Sequence, residues 1–376
     1  MKNKCRILSI ILTAIICCAG ISNNEFNVKA DDDSVLNLSA ESAALIVCNN
    51  DELIYSKNAE CVLPMASTTK IMTALVALES MRLDEVVEVH ENAVATEGSS
   101  AYLTVGETLP MKDLIYALML QSANDAAEAI AYAVAGGIDE FASLMNDKAK
   151  SLGLLATNFA NPHGLDSDGH YTTAADLAKL ATYAMKNAAF REIVSTERYV
   201  TENGRVFVNH NKLLKLYDGA VGVKTGYTKT SGRCLVSAAE RDGIVAVAVT
   251  LNAPDDWNDH IKLLDYCFSN YEMVTLAEIG QFSVDIPCIS GDQATVRCSN
   301  NEALEMCLPM DSLVSTTIEA DRYFPAPIKK DDALATAKFY SEGELIASIP
   351  LYAEHEVNLK NGKLSLIDRI LKLIGK

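Results

Sequence analysis

From Ile244 to Leu251 the chain carries no charged residue, and from Val245 to Val249 it alternates valine with alanine. A valine-alanine run apolar at each successive position has no side to offer water, so it predicts a strand buried on both faces. It ends a predicted three-strand meander over residues 219–251: Val221 to Thr225, then Cys234 to Ala239, then this strand, with Arg241-Asp242-Gly243 as the last turn. Two shorter strands, 43–48 and 53–55, surround the hairpin signal Asn49-Asn50-Asp51. Between these regions the apolar spacing is helical. Ile71, Met72, Ala74, Leu75 and Leu78 follow Pro64 at helical intervals, and Met111 to Ala135 is apolar and Ala-rich, as one or two buried helices would be. Thr173-Ala174-Ala175-Asp176 fits a capping box and predicts a helix running to about Lys186.

The two ends differ from this middle. Lys2, Lys4 and Arg6 precede an apolar run from Ile7 to Ile21, too short for a typical membrane span and right for a secretion signal. Val28-Lys29-Ala30 offers a small-x-small cleavage site; an uncleaved signal anchor is the alternative. Cys17 and Cys18 follow alanine and isoleucines, a poor context for lipid attachment. Near residue 275 the helical patterns give way to short strands and turn signals, Ser341-Glu342-Gly343 among them, which predicts a separate small β domain. Residues 359–376 carry five basic and one acidic residue. Leu364, Leu366, Ile367, Ile370, Leu371, Leu373 and Ile374 share one half of a helical wheel. That pattern fits a helix lying in a membrane interface, and a terminal helix packed on its own protein is the plainer reading. The expected organisation of the 376 residues is therefore a signal (1–30), a catalytic domain (31–274), a β-rich domain (275–358) and an amphipathic membrane-associating helix (359–376).

The formal net charge is −18; residues 1–30 hold four basic and one acidic residue, so the remainder stands at −21. Such a surface argues against nucleic acid as a partner, because phosphate binding needs a basic patch. Seven cysteines lie beyond residue 30, an odd number, so at least one is unpaired within the chain. Cys298 and Cys307 flank a turn at Asn300-Asn301 and are candidates to meet across a hairpin, with buried free thiols as the equal alternative. The sequence has no C-x-x-C, and His90-Glu91 has no second histidine four residues on, so no metal and no cofactor is expected.

Three short words carry chemistry: Ser67-Thr68-Thr69-Lys70 at a helix start, Ser122-Ala123-Asn124 beside an Ala-rich helix, and Lys224-Thr225-Gly226 ending a strand. A serine hydroxyl needs an adjacent base to act as a nucleophile. Residues three apart on a helix share a face, so Lys70 lies one turn from Ser67. A lysine serves as base only if its pKa falls toward neutrality, which burial and a second cation such as Lys224 both promote. Ser122 offers a hydroxyl to relay a proton to a leaving amine, and Asn124 an amide to hold Lys70 or substrate. Gly226 lets substrate lie close to the backbone, Thr225 and Lys224 are placed to bind a carboxylate, and the N–H groups of Ser67 and Tyr227 suit an oxyanion hole.

In this order and context the words S-x-x-K, S-x-N and K-T-G resemble the D-alanyl-D-alanine carboxypeptidases, the low-molecular-mass penicillin-binding proteins. The likeness extends to Leu63 through Ala74, to Asn161-Pro162-His163-Gly164-Leu165 and to Gly222 through Thr228. It implies an α/β (α+β) catalytic domain, β-lactamase-like, with an antiparallel sheet flanked by helices, the site between sheet and helical region, and a small all-β C-terminal domain. It implies that Ser67 forms an acyl-enzyme, that Lys70 takes its proton, that Ser122 and Asn124 complete the relay, and that Lys224, Thr225, Gly226 and Tyr227 contact substrate. The substrate so implied is a peptidoglycan pentapeptide losing its terminal D-alanine, with β-lactams as inhibitors, outside the cytoplasmic membrane. One departure stands out: some relatives carry an arginine after the strand that follows the third word, where it helps bind the terminal carboxylate. Here that stretch reads Asn252-Ala253-Pro254-Asp255-Asp256-Trp257.

A class A β-lactamase would add an E-x-x-L-N loop, which is absent between Asn124 and Lys224, and a Ser-His-Asp hydrolase would want a G-x-S-x-G elbow, also absent. His163, set between Pro162 and Gly164, and His210, between two asparagines, read as hydrogen-bonding or packing residues rather than catalytic ones. A penicillin-binding module with little turnover would carry the same residues, and D-alanine release separates it from an enzyme.

Overall fold

The computed structural model describes residues 36–360. The signal expected over 1–30 and all but the first two residues of the segment 359–376 lie outside them.

The first sheet takes its strands from both ends of the catalytic region. β1 (Ser42–Val47) and β2 (Glu52–Lys57) form the first hairpin. Two short ribbons follow, β3 (Val86–Glu88) with β4 (Thr108–Pro110), and β5 (Arg198–Val200) with β6 (Val206–Val208). The predicted meander is β7 (Ala220–Thr228), β8 (Gly232–Arg241) and β9 (Ile244–Leu251). The five long strands run antiparallel in the order β2-β1-β9-β8-β7, which leaves β7 at an edge.

Among the described residues this region has the α-helices α1 (Lys70–Ser80), α2 (Met111–Leu120), α3 (Asn124–Ala135), α4 (Ile138–Ser151), α5 (Ala174–Met185), α6 (Ala188–Ser195), α7 (Leu213–Leu216) and α8 (Asp256–Asn270). The central strand β9 explains their division. Val247, Val249 and Leu251 pack into the cluster built with α1 to α6, while Ile244, Ala246 and Ala248 face the cluster that holds Leu263, Leu264 and Cys267 of α8. The alanines bring α8 close to the sheet, and the valines fill the wider helical side. Each fully buried Val or Leu contributes about 1.5–3 kcal/mol. The sheet is thus a middle layer with helices on both faces. Helix α5 starts where its capping box predicts: the Thr173 hydroxyl accepts from the Asp176 N–H at 3.1 Å.

Among the described residues from Tyr271 onward the elements are all strands: β10 (Tyr271–Ala277), β11 (Ser283–Ile289), β12 (Thr295–Ser299), β13 (Leu304–Pro309), β14 (Val314–Ala320), β15 (Phe324–Pro325), β16 (Ala333–Ser341) and β17 (Glu344–Ala353). β10 pairs with β13, and the rest form a sheet in the order β14-β16-β17-β12-β11-β15 around Phe339, Ile286, Val296 and Leu351. The expected hairpin tip is present, with Glu342 and Gly343 both at positive φ between β16 and β17. The seven described cysteines are free thiols. Cys298 sits in the core of this β region and Cys307 in the cluster under α8, so the hairpin pairing does not form.

Candidate active site

The first word begins in a tight turn rather than in the helix proper. Ala66–Thr69 is a single 3₁₀ segment, and α1 starts at Lys70. The turn is locked by its own hydroxyls: Thr68 donates to the Met65 carbonyl at 2.6 Å and Thr69 to that of Ala66 at 2.8 Å. Ala66 sits at φ +47°, an uncommon conformation for a residue with a Cβ. Gly164 closes against it from outside. A Cβ there would lie 2.0 Å from the Ala66 carbonyl oxygen. The loop 161–165 therefore clamps the nucleophile turn, and Asn161 holds that loop by accepting from the Gly164 N–H at 2.7 Å.

Lys70 is the hub. Its Nζ donates to Ser67 Oγ at 3.0 Å, to Asn124 Oδ1 at 2.7 Å and to the His163 carbonyl at 2.5 Å. Those three bonds use all its protons in the charged form and fix the ammonium beside the serine. Its side chain is fully buried. Burial first, and then the positive charge of Lys224, hold its pKa well below the usual lysine range. No other titratable side chain is hydrogen-bonded to Ser67 among the described residues.

The second word sits in the link between α2 and α3. Ser122 takes φ +60° there and faces the same cavity as Ser67. Asn124 opens α3. Its amide spans the site, accepting from Lys70 and donating to the Glu97 carbonyl at 2.6 Å. Asp125, unremarked in the sequence, is buried and accepts from the Ser100 hydroxyl at 2.6 Å and the N–H groups of Ala101 and Leu103 at 2.9 and 3.0 Å. It ties the 99–103 loop to the motif. Its only sequence signal is adjacency to Asn124. His163 bonds the Leu165 N–H through Nδ1 at 3.1 Å, and its Nε2 lies 3.5 Å from Glu128, the structural placement expected of it.

The third word lies on the edge strand β7. Lys224 is 1% exposed and donates to the Thr225 carbonyl at 2.9 Å. Burial lowers its pKa to about 7. It stands behind the cavity wall as Lys70's cationic neighbour, whereas Thr225, Gly226 and Tyr227 line the cavity itself. Gly226 has a second reason to be glycine: a Cβ would come 3.1 Å from the Ser67 N–H nitrogen and 3.2 Å from that of Thr68. The bare backbone is what lets the strand approach the nucleophile turn.

The cavity, of about 380 Å³, is lined by Ser67, Ser99 and Ser122 on the helical side and by Thr225, Gly226, Tyr227 and Arg233 on the sheet side, with His210, Lys212, Asp256 and Trp257 at its end. His210 is thus on the rim, in a more site-like place than its sequence setting indicates. Arg233, Asp256 and Trp257 have no motif to announce them. The β7–β8 register brings Arg233 opposite Tyr227. No group of three or more His, Cys, Asp or Glu among the described residues is placed to hold a metal ion.

The geometry agrees with what the chain is similar to. Residues 26–255 match the family described as D-alanyl-D-alanine carboxypeptidase, and residues 271–359 match the penicillin-binding protein 5 C-terminal domain. The chain is 33% identical to the D-alanyl-D-alanine carboxypeptidase DacF of Bacillus subtilis, over 88% of this chain and 89% of that one. It is 29% identical to DacA of Escherichia coli K12, over 96% and 94%. The crystal structure of the carboxypeptidase DacD from Francisella tularensis superposes with a TM-score of 0.65 at 27% identity, covering 86% of this chain and 94% of that one. With Ser67 hydrogen-bonded to Lys70, the edge strand and the trailing β region all in place, this chain belongs to the D-alanyl-D-alanine carboxypeptidase family.

Proposed function

We propose that this chain removes the terminal D-alanine from peptidoglycan stem peptides through an ester on Ser67. The observation that carries the reading is the fully buried Lys70 ammonium, 3.0 Å from Ser67 Oγ and depressed in pKa by burial and by Lys224. Neutral Lys70 takes the Ser67 proton as Oγ attacks the carbonyl of the penultimate D-alanine. The tetrahedral oxyanion is held by the N–H groups of Ser67 and Tyr227. Collapse expels the terminal D-alanine, whose amine receives its proton from Lys70 by way of the Ser122 hydroxyl. Water then attacks the ester with Lys70 again as base, and Ser67 leaves with its proton restored. The edge position of β7 supports substrate binding in an extended form, because alternate N–H and C=O groups of an edge strand lack a strand partner. β-Lactams place their strained amide where the scissile bond would lie and acylate the same oxygen.

In this reading residues 31–274 carry the catalysis, 275–358 form a β-rich support, and 359–376 rest on the outer face of the cytoplasmic membrane after export directed by 1–30. No helix among the described residues is long and apolar enough to cross a membrane, and an interfacial helix does not need to be. The test is mass spectrometry of the protein incubated with labelled penicillin, alongside D-alanine release from an acyl-D-Ala-D-Ala peptide. An adduct on Ser67 with D-alanine release supports the reading. An adduct without measurable release supports a binding module, and an adduct elsewhere sinks the assignment of Ser67.

A further inference from the structure

A carboxypeptidase differs from an endopeptidase in what lies one residue beyond the scissile bond: a free carboxylate rather than more chain. The site must therefore present a cation or donor set there. Lys70 and Lys224 are buried behind the wall and already bonded to Ser67, Asn124, His163 and Thr225. Arg233 and Lys212 remain as the fixed cations lining the cavity.

Arg233 is the one held in place. It pairs directly across the ladder from Tyr227, so the two side chains share a face of the sheet, and Thr225, two residues back on β7, shares it too. Arg233 Nη2 donates to Asp256 Oδ1 at 2.7 Å. Asp256 is itself buried and also accepts from the Trp257 N–H at 2.9 Å, so it does not swing. The guanidinium carbon lies 5.9 Å from the centre of the Trp257 ring. Carboxylate and ring thus brace the guanidinium, yet its side chain stays 43% exposed. Its Nε is buried with no hydrogen-bond acceptor among the described residues. A guanidinium has five N–H donors in a planar fork, and such a fork matches a carboxylate in a way the ammonium of an exposed lysine does not. An oriented, under-used fork beside a threonine hydroxyl, at the sheet edge where the substrate would lie, is a carboxylate site.

We propose that Arg233, braced by Asp256 and Trp257, binds the terminal carboxylate of the substrate and confines this chain to chain ends. This takes over, from the strand beside β7, the task for which the 252–257 stretch has no arginine. The assignment rests on the acyl-transfer reading of the cavity given above.

The experiment compares two peptides, acyl-D-Ala-D-Ala with a free terminal carboxylate and the same peptide as its terminal amide. Wild-type enzyme should prefer the acid. Arg233→Met should lose roughly 10- to 150-fold in kcat/KM on the acid, the span expected for charged hydrogen bonds. It should change by less than about 3-fold on the amide. Arg233→Lys should fall between. Should Arg233→Met fail to fold, Asp256→Asn, which frees the guanidinium without removing it, must still narrow the acid-to-amide preference. Equal losses on both peptides, an unchanged preference in either variant, or a preference erased by Lys212→Met instead would each overturn the assignment. Acylation by benzylpenicillin against its methyl ester separates the two layers of the argument. If no D-alanine is released, but the free acid acylates far faster than the ester and Arg233→Met erases that difference, Arg233 stands and turnover does not. If acid and ester react alike in the wild type, Arg233 falls whatever the turnover.

Discussion

The catalytic region and the β region that follows it bury their polar groups in opposite ways. The first holds Lys70, Lys224, Asp113, Asp125, Asp176, Asp256, Asp259 and His260 away from solvent. In the second, Asn300 is the one buried polar side chain among the described residues, and it merely fastens a turn, accepting from the Phe282 N–H and donating to the carbonyls of Glu278 and Glu302. Burying a charge is costly unless it is paired and bonded. Lys70 and Lys224 are neither paired with carboxylates nor released to water; each leans on neutral acceptors. Burial without a carboxylate partner weighs against the fold and lowers the pKa of both lysines, which is the condition the proposed acyl transfer needs of its base. The β region has no such conflict and reads as plain structural packing.

The hardest blow to that contrast comes from Lys70. Lys70→Ala should slow acylation by penicillin by about 10³-fold or more, within the range general-base removal produces, while leaving the protein folded. An unchanged labelling rate would break the claim that the buried lysine is there for chemistry. Lys224→Met comes next and should cut the two properties apart. Lys224 titrates near 7 in the fold and about 10.4 unfolded. Its folded pKa is lowered, so the unfolded chain binds more protons between those values and stability rises with pH across that window. Below pH 7 the full destabilisation is present. Lys224→Met should therefore melt higher than wild type at pH 6, by about 5 °C or more, with the gap closing toward pH 10. It should also remove the neighbouring cation that depresses Lys70, so the acid limb of the acylation profile should shift to higher pH. A lower melting temperature at pH 6 would mean that Lys224 supports the fold rather than straining it.

Much of this contrast is readable in the sequence, and the part that is not has a common cause. Ile244 to Leu251 is a strand at those limits because its valine-alanine run carries no charge and no turn signal. Thr173 caps α5 because a local hydrogen bond does it. Ser67, Lys70, Asn124 and Thr225 are carried by local spacing, and the fold brings them to one place. Lys224 is different: its sequence context suits a carboxylate ligand, and only the packing of β7 against the nucleophile turn sends its ammonium inward. Helices α4 and α8 are not predicted from sequence, since their apolar residues are dispersed among charged ones and docking on neighbours selects the buried face. Asp125, Arg233, Asp256 and Trp257 enter the site through register and loop closure, relations between distant segments that no local pattern records.

Two glycines allow the contrast to be measured at matched φ. Gly164 in the site and Gly343 in the β16–β17 hairpin have φ of +87° and +86°. Alanine at either position meets the same intrinsic penalty for a Cβ in the left-handed region, about 1–2 kcal/mol. Their surroundings differ sharply. At Gly164 the new Cβ would lie 2.0 Å from the Ala66 carbonyl oxygen and 2.9 Å from Thr69 Oγ1, so the loop must lift off the nucleophile turn and take the His163 carbonyl away from Lys70. At Gly343 nothing lies within 4 Å. Gly164→Ala should accordingly lose at least 10-fold in acylation rate, the scale on which small misplacements act, and more stability than the backbone term alone. Gly343→Ala should show that backbone term by itself, a shift of a few degrees in melting with kcat/KM on soluble peptide unchanged within about 2-fold. Subtracting one from the other isolates the packing of the loop on the nucleophile turn, free of conformational preference. If Gly343→Ala lowered turnover as well, the β region would be coupled to the site, and its apolar simplicity would no longer mark it as support alone.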